Sequence, residues 1–194
     1  IAMLREKHEH LQKLPGVKLP EDMTFTTDLK SAVESGEYLI LAVPSVFTRS
    51  TAKSMAPFVK NGQVVVCVAK GIEEATLMTL SDIVEQEIPQ AEVAVMCGPS
   101  HAEEVGIGLP TTVVAGAKKR KVAEGIQDIF MNRVFRVYTS PDVLGMELGG
   151  SLKNVIALAA GMADGLGYGD NTKAALITRG MFEMSKLATT MGAK

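Results

Sequence analysis

Three short, unbroken apolar runs constrain this chain more than any other feature: Tyr38–Val43 (YLILAV), Val64–Ala69 (VVVCVA) and Val93–Cys97 (VAVMC). Runs of this length have no polar face, so they predict strands covered on both sides, as in a parallel sheet. Between them lie helix-forming segments, Ser45–Val59 and an amphipathic Thr76–Ile88. The alternation continues with a short helix near Ala102–Val105, a strand over Thr111–Ala117, a helix over Lys119–Phe130 and a strand over Val134–Tyr138. Strand alternating with helix predicts an α/β fold with a parallel sheet.

Both ends of the chain read differently. Ile1–Leu14 is rich in Glu, Lys and His and predicts a helix, broken by Pro15-Gly16 and Pro20. Met23–Thr27 predicts a short strand, and Asp28 an N-cap for a helix through Glu34 that Gly36 stops. After Pro141 strands cease. Glu147–Ala163 predicts a nearly all-apolar helix, buried all round. A glycine-rich turn, Gly165–Asp170, then leads into a helix capped by Asn171, with Ala174, Ile177, Met181, Met184, Ala188 and Met191 on one face. That stripe reads as core. Residues 1–140 thus form a sheet region, and 141–194 the start of an all-helical one.

Composition narrows the function classes. A net charge of −2 and a pI near 6.0 leave no electrostatic footprint for nucleic acid or an anionic membrane. The run Val155–Ala163 falls short of the ~20 apolar residues that span a bilayer, so no membrane insertion is expected. The first segment lacks the apolar stretch of a signal peptide. Cys67 and Cys97 show no metal-type spacing and cannot make a disulfide scaffold, which points to a reducing, cytoplasmic setting. His8 and His10 sit two apart on a polar helix and read as solvated, so no metal site is expected. Lys118–Lys121 (KKRK) reads as a solvated face.

In open parallel sheets, ligands bind beyond the carboxyl ends of the strands. Here those ends carry Pro44-Ser45, Lys70-Gly71 and Gly98-Pro99-Ser100-His101-Ala102. Lys70 and Ser100 offer polar groups there. Lys153 follows Gly149-Gly150-Ser151 and opens the apolar run VIALAAGMA. A lysine buried at a helix N-terminus would favour its neutral form and could exchange a proton near neutral pH. Asp164 lies too far along the same helix to pair with it. Two glycine patterns, Gly106-Ile107-Gly108 and Gly165-Leu166-Gly167-Tyr168-Gly169, do not follow a strand and open a helix, as a dinucleotide loop must.

The segments AVPS (Ala42–Ser45), AKG (Ala69–Gly71), GPSHAEE (Gly98–Glu104), ELGGSLKNVIALAAGMADG (Glu147–Gly165) and NTKAALITRG (Asn171–Gly180) together resemble the bacterial NAD(P)-dependent glycerol-3-phosphate dehydrogenases, in order and spacing along the whole chain. The resemblance implies a partial Rossmann-type, doubly wound parallel sheet followed by a helical substrate domain. It implies NAD or NADP as cofactor and reversible hydride transfer between dihydroxyacetone phosphate and sn-glycerol 3-phosphate, feeding phospholipid synthesis. It implies Lys153 as the acid/base with Asn154 beside it. Lys70, Gly98 and Ser100 would bind a small phosphorylated substrate, and Pro44, Ser45, Phe47, Lys70 and Ala102 would flank the cofactor. A homo-oligomer is expected.

The family's opening strand with its GxGxxG turn and its later phosphate-binding motif have no counterpart in these residues, so an internal stretch, inactive alone, is expected. On the resemblance, Tyr38–Val43 would be the family's fourth strand, left as an exposed edge. Two alternatives compete. Related β-hydroxyacid dehydrogenases space lysine and asparagine as K-x-x-x-N, whereas Lys153 and Asn154 are adjacent and position 157 is Ala. A non-catalytic binding or structural remnant would be separated from an enzyme by dinucleotide titration.

Overall fold

A computed structural model describes residues 1–194. Five strands form one sheet in chain order: β1 (Tyr38–Leu41), β2 (Val64–Cys67), β3 (Glu92–Cys97), β4 (Thr111–Ala117) and β5 (Phe135–Ser140). Strands β1, β2 and β3 are parallel, as are β4 and β5, but β3 and β4 are antiparallel. The sheet is therefore mixed, which corrects the all-parallel expectation. A parallel return needs a long crossover. The segment after β3 holds only a short helix, Ala102–Gly106, then doubles back at Gly108 (φ +78°) and re-enters the sheet from the same end.

One face of the sheet carries the helices Leu29–Ser35, Thr48–Met55 and Leu80–Glu87. There Val33, Leu41, Met55, Val65, Val84 and Ile88 make a common core. On the other face the helix Arg120–Phe130 sends Ala123 and Ile126 against Val66, Ala94, Val113 and Val137. The alternating parity of β2 explains the division: Val65 points one way and Val66 the other. β1 is an edge strand, as the resemblance implied, and it is not covered on both faces, since Ile40 is exposed. We number these helices α2, α3, α4, α5 (Ala102–Gly106) and α6, with α1 over Ala2–Lys7.

Several local expectations shift. α1 ends at Lys7, because His8 turns left-handed (φ 45°) and its N–H bonds back to Leu4 O. Met23–Thr27 is not a strand; it has no sheet partner, and the Phe25 carbonyl accepts two bonds from the Arg5 guanidinium instead. Ser45–Val59 breaks into a 3-10 turn (Ser45–Phe47), α3 and a second 3-10 turn (Ala56–Phe58) at Pro57. α4 begins at Leu80 rather than Thr76, with the Thr79 side chain as its cap.

Two long helices follow, α7 (Val143–Gly165) and α8 (Asp170–Thr190). α7 is longer than expected, starting at an Asp142 cap whose carboxylate accepts from Gly145 N–H. At 23 residues it is long and apolar enough to cross a membrane by length and composition alone, although Glu147, Lys153 and Asn154 interrupt it before the apolar run Val155–Ala163. Its first half packs on the sheet through Val143 and Met146. α8 packs on α7, with Lys173 bonded to Asp164 at 2.7 Å. The Met181 and Met191 side chains are exposed, so the α8 stripe is not core within this chain. Of the basic run, Lys118, Lys119 and Arg120 pair with Glu85, Glu92 and Glu124 at the surface.

Candidate active site

The parallel run of β1, β2 and β3 puts their carboxyl ends on one rim, and the reversed β4 brings its amino end there too. α7 completes the site. It begins beyond Ser140, at the opposite end of the sheet, and climbs across the sheet face. Glycines set how closely it lies: a Cβ on Gly116 would meet Met146 Sδ at 2.6 Å, and one on Gly150 would meet Cys97 Sγ at 2.6 Å. Lys153 follows one turn later, at the rim.

An open cleft of about 590 Å³ lies between α7 and the rim. It brings together Lys70, Gly98, Ser100, Lys153 and Asn154, all five substrate-side residues expected from the sequence. Cys97, Pro99, His101, Val114, Gly145, Met146, Gly149 and Gly150 complete its lining, and no Asp or Glu is among them. Lys70 is half-buried and has no carboxylate within 4 Å; Lys153 Nζ donates to Asn154 Oδ1 at 3.0 Å. Burial pushes the Cys97 thiol up, and the positive charges of Lys70 and Lys153 oppose that shift from close by.

Lys153 is not the buried, helix-opening lysine expected from the sequence. Its side chain is exposed, and it stands well inside α7 rather than at its start. The neighbouring apolar residues Val155 and Leu158 are exposed as well, so an apolar run here does not mean burial.

Pro44, Ser45, Phe47 and Ala102 do not line the cleft. Ser45 lies on the adjoining rim, against Gly71, whose φ of +153° and missing Cβ allow the approach; a Cβ there would sit 2.8 Å from Ser45 Cβ. Pro44 and Phe47 share that turn, with Val46 and Phe47 exposed. Ala102 opens α5 and is exposed.

Three further side chains shape the site and escaped sequence reasoning. Glu147, buried on α7, accepts a hydrogen bond from Ser81 N–H at 3.0 Å and another from the Ser81 hydroxyl, fastening α7 to the start of α4. Burial raises its carboxyl above the usual range, although the Ser81 donors oppose the shift. Burial, with Glu147 nearby, also pushes the Cys67 thiol up to about 11. The available signal was that Glu147 is the sole acid between residues 143 and 163. Arg49 and Glu73 meet across the rim in a bidentate pair, and the guanidinium draws the Glu73 carboxyl down to about 2. Nothing local in the sequence marks that pair.

A Rossmann-like α/β sheet, with a glycine- and lysine-bearing rim and a long helix laid across it, defines the class: the two-part α/β-plus-helical architecture of nicotinamide dinucleotide dehydrogenases. Family models narrow it. Residues 1–123 match the NAD-dependent glycerol-3-phosphate dehydrogenase N-terminus and residues 142–194 the corresponding C-terminus; the chain belongs to this family.

Relatives agree. The chain is 77% identical over 194 residues to the NAD(P)+ glycerol-3-phosphate dehydrogenase of Agathobacter rectalis, covering 100% of this chain and 58% of the relative. It is 56% identical over 191 residues to that of Fusobacterium nucleatum, covering 97% and 57%. The chain thus spans well under two thirds of these relatives' length. Among solved structures, Coxiella burnetii glycerol-3-phosphate dehydrogenase superposes with a TM-score of 0.93 at 33% identity, covering 100% of this chain and 59% of that one. The Dunaliella salina enzyme DsGPDH superposes with a TM-score of 0.93 at 30% identity, covering 99% and 37%.

Proposed function

We propose that this chain supplies the substrate cleft and the nicotinamide-facing rim of an enzyme that interconverts dihydroxyacetone phosphate and sn-glycerol 3-phosphate. The observation that carries this reading is the cleft's charge: two lysines and a histidine with no acidic residue in its lining. Such a pocket favours a small phosphorylated anion. Residues 1–140 would be the dinucleotide-binding part and 141–194 the start of the substrate part.

The rim beside the cleft fits a nicotinamide cofactor. Exposed Val46 and Phe47 offer apolar surface to a flat ring, and Ser45 and Lys70 offer polar groups next to it. NAD(P)H, when bound, would supply the hydride. Gly98 and Ser100 would bound the substrate, with Ala102 and Pro44 flanking the cofactor. As the carbonyl oxygen gains negative charge, Lys70 would stabilise it and Lys153 would give it a proton. Asn154, bonded to Lys153 Nζ, would hold that ammonium towards the cleft. The product would serve phospholipid synthesis in the cytoplasm, the working form would be a homo-oligomer, and residues 1–194 alone would not turn over.

The test is dihydroxyacetone phosphate reduction by the protein carrying this chain, followed through NADH or NADPH absorbance. Lys153→Ala should lower kcat ~10²–10⁴-fold, the usual worth of acid-base catalysis, while cofactor affinity changes little. Near wild-type turnover in that variant would remove Lys153 from the chemistry.

A further inference from the structure

Arg49 stands in the first turn of α3, directly after the Ser45–Phe47 turn, and bridges two rim segments. Its Nε and Nη2 donate to the two oxygens of Glu73 at 2.7 and 2.6 Å, and its Nη1 donates to Gln86 and Glu87 on α4, each at 2.6 Å. Glu73 belongs to the segment 70–79, which Lys70 begins and the α4 cap, Thr79, ends. That segment folds on itself: Glu73 N–H bonds Met78 O at 3.0 Å, Leu77 N–H bonds Glu73 O at 2.8 Å, and Ile72 bridges to Thr79. Within it Leu77 is left-handed (φ 59°), a conformation that persists only where the surroundings hold it.

The pair is half-buried, with Arg49 29% and Glu73 21% exposed in their side chains. Ion pairs so placed add little net stability, because solvent screening and the partial desolvation of both groups offset the attraction. What a bidentate guanidinium–carboxylate pair does fix is orientation, which a lysine's point charge does not. The oriented object here is the Lys70 segment, seated where Gly71 touches Ser45.

We propose that Arg49 is a positioning residue: its grip on Glu73 sets where Lys70 stands relative to the Ser45–Phe47 turn and the cleft. This role rests on the function proposed above. The competing view is a plain structural tie between α3 and α4.

A double-mutant cycle separates the two. Arg49→Lys, Lys70→Ala and the double variant are compared in steady-state reduction of dihydroxyacetone phosphate. Arg49→Lys keeps the charge and loses the fork, so the fold should survive. Expected is a rise in KM of at least 5-fold for Arg49→Lys, vanishing when Lys70 is already Ala. Glu73→Gln should repeat the pattern, and amide exchange should quicken over 71–78 while β2 and β3 stay protected. A lowered Tm with unchanged KM, or equal KM effects in both backgrounds, overturns the positioning role. No turnover in the unsubstituted full-length protein that carries this chain would instead overturn the proposed function, and this role with it; turnover indifferent to Arg49→Lys overturns the role alone.

Discussion

Gly150 lies so close to Cys97 that a Cβ on the glycine would stand 2.6 Å from the Cys97 sulfur, whereas its neighbour Gly149 has nothing within 4 Å of its Cβ direction. Both are in α7, so both gain from alanine's better helix propensity, by ~1 kcal/mol. Only Gly150 would also force the helix off β3, and overpacking of that kind costs ~1–3 kcal/mol. Gly149→Ala should therefore raise Tm and Gly150→Ala lower it. Adding Cys97→Ala to Gly150→Ala should recover part of the loss in thermal denaturation; no recovery would show that the contact does not limit α7.

Glu147 predicts a pH dependence of stability. Its folded carboxyl is raised above the unfolded value by burial. The fold therefore binds more protons than the unfolded chain between the two values, so this contribution is full below the unfolded value, near 4.5, and is lost as pH rises through the folded one. Glu147→Gln keeps an acceptor for Ser81 N–H and removes the buried charge. Its Tm relative to the unsubstituted chain should improve as pH goes from 4 towards ~8. Glu147→Ala should cost ~1–3 kcal/mol by leaving the Ser81 donors unpaired. A Glu147→Gln Tm difference that stays flat with pH would contradict the assigned shift.

What was legible in the sequence follows from the range of the forces involved. Val64–Cys67 and Thr111–Ala117 were legible because apolar runs report burial directly. Asp28 was legible because a cap is a local bond, from Lys30 N–H at 3.1 Å. The direction of β4 was not, since it depends on whether segment 98–110 crosses the sheet. The start of α7 was obscured by Gly145, a poor helix former that lies just before the expected start at Glu147. The structure uses Gly150 to let the helix approach the sheet, and Gly145 N–H to bond the Asp142 cap. The strand-end residues of the cleft were legible through the rim rule, but Arg49–Glu73 and Glu147–Ser81 are contacts between distant segments and leave no periodic trace.

Lys70 predicts a rise in KM on its removal. A charge-assisted hydrogen bond to a bound anion is worth ~1.5–3 kcal/mol, so Lys70→Ala should raise KM for dihydroxyacetone phosphate by roughly 10- to 100-fold. Because the cleft's lining carries lysines and no acidic residue, KM of the unsubstituted protein should rise with ionic strength, and less so in Lys70→Ala. If KM and its salt dependence are both unchanged by the substitution, Lys70 is a turn residue only.

The last prediction concerns the 194 residues expressed as they stand. β1 is hydrogen-bonded to β2 alone, so one side of its backbone offers unpaired N–H and C=O groups, with Ile40 beside them. Unpaired edges of this kind recruit another chain. α7 and α8 pack on each other but leave Val155, Leu158 and Met162 of α7 and Met181 and Phe182 of α8 more than half exposed. Exposed apolar side chains concentrated on one helical pair favour association where they form a contiguous patch. The chain should therefore associate at micromolar concentration, and lysine at Ile40 together with glutamate at Leu158 should shift it towards monomer without changing its helix content. Size exclusion with light scattering reads the outcome. A monodisperse monomer at ~50 µM, above the micromolar affinities typical of weak contacts, would mean that neither surface is sticky and that the edge of β1 is shielded in solution.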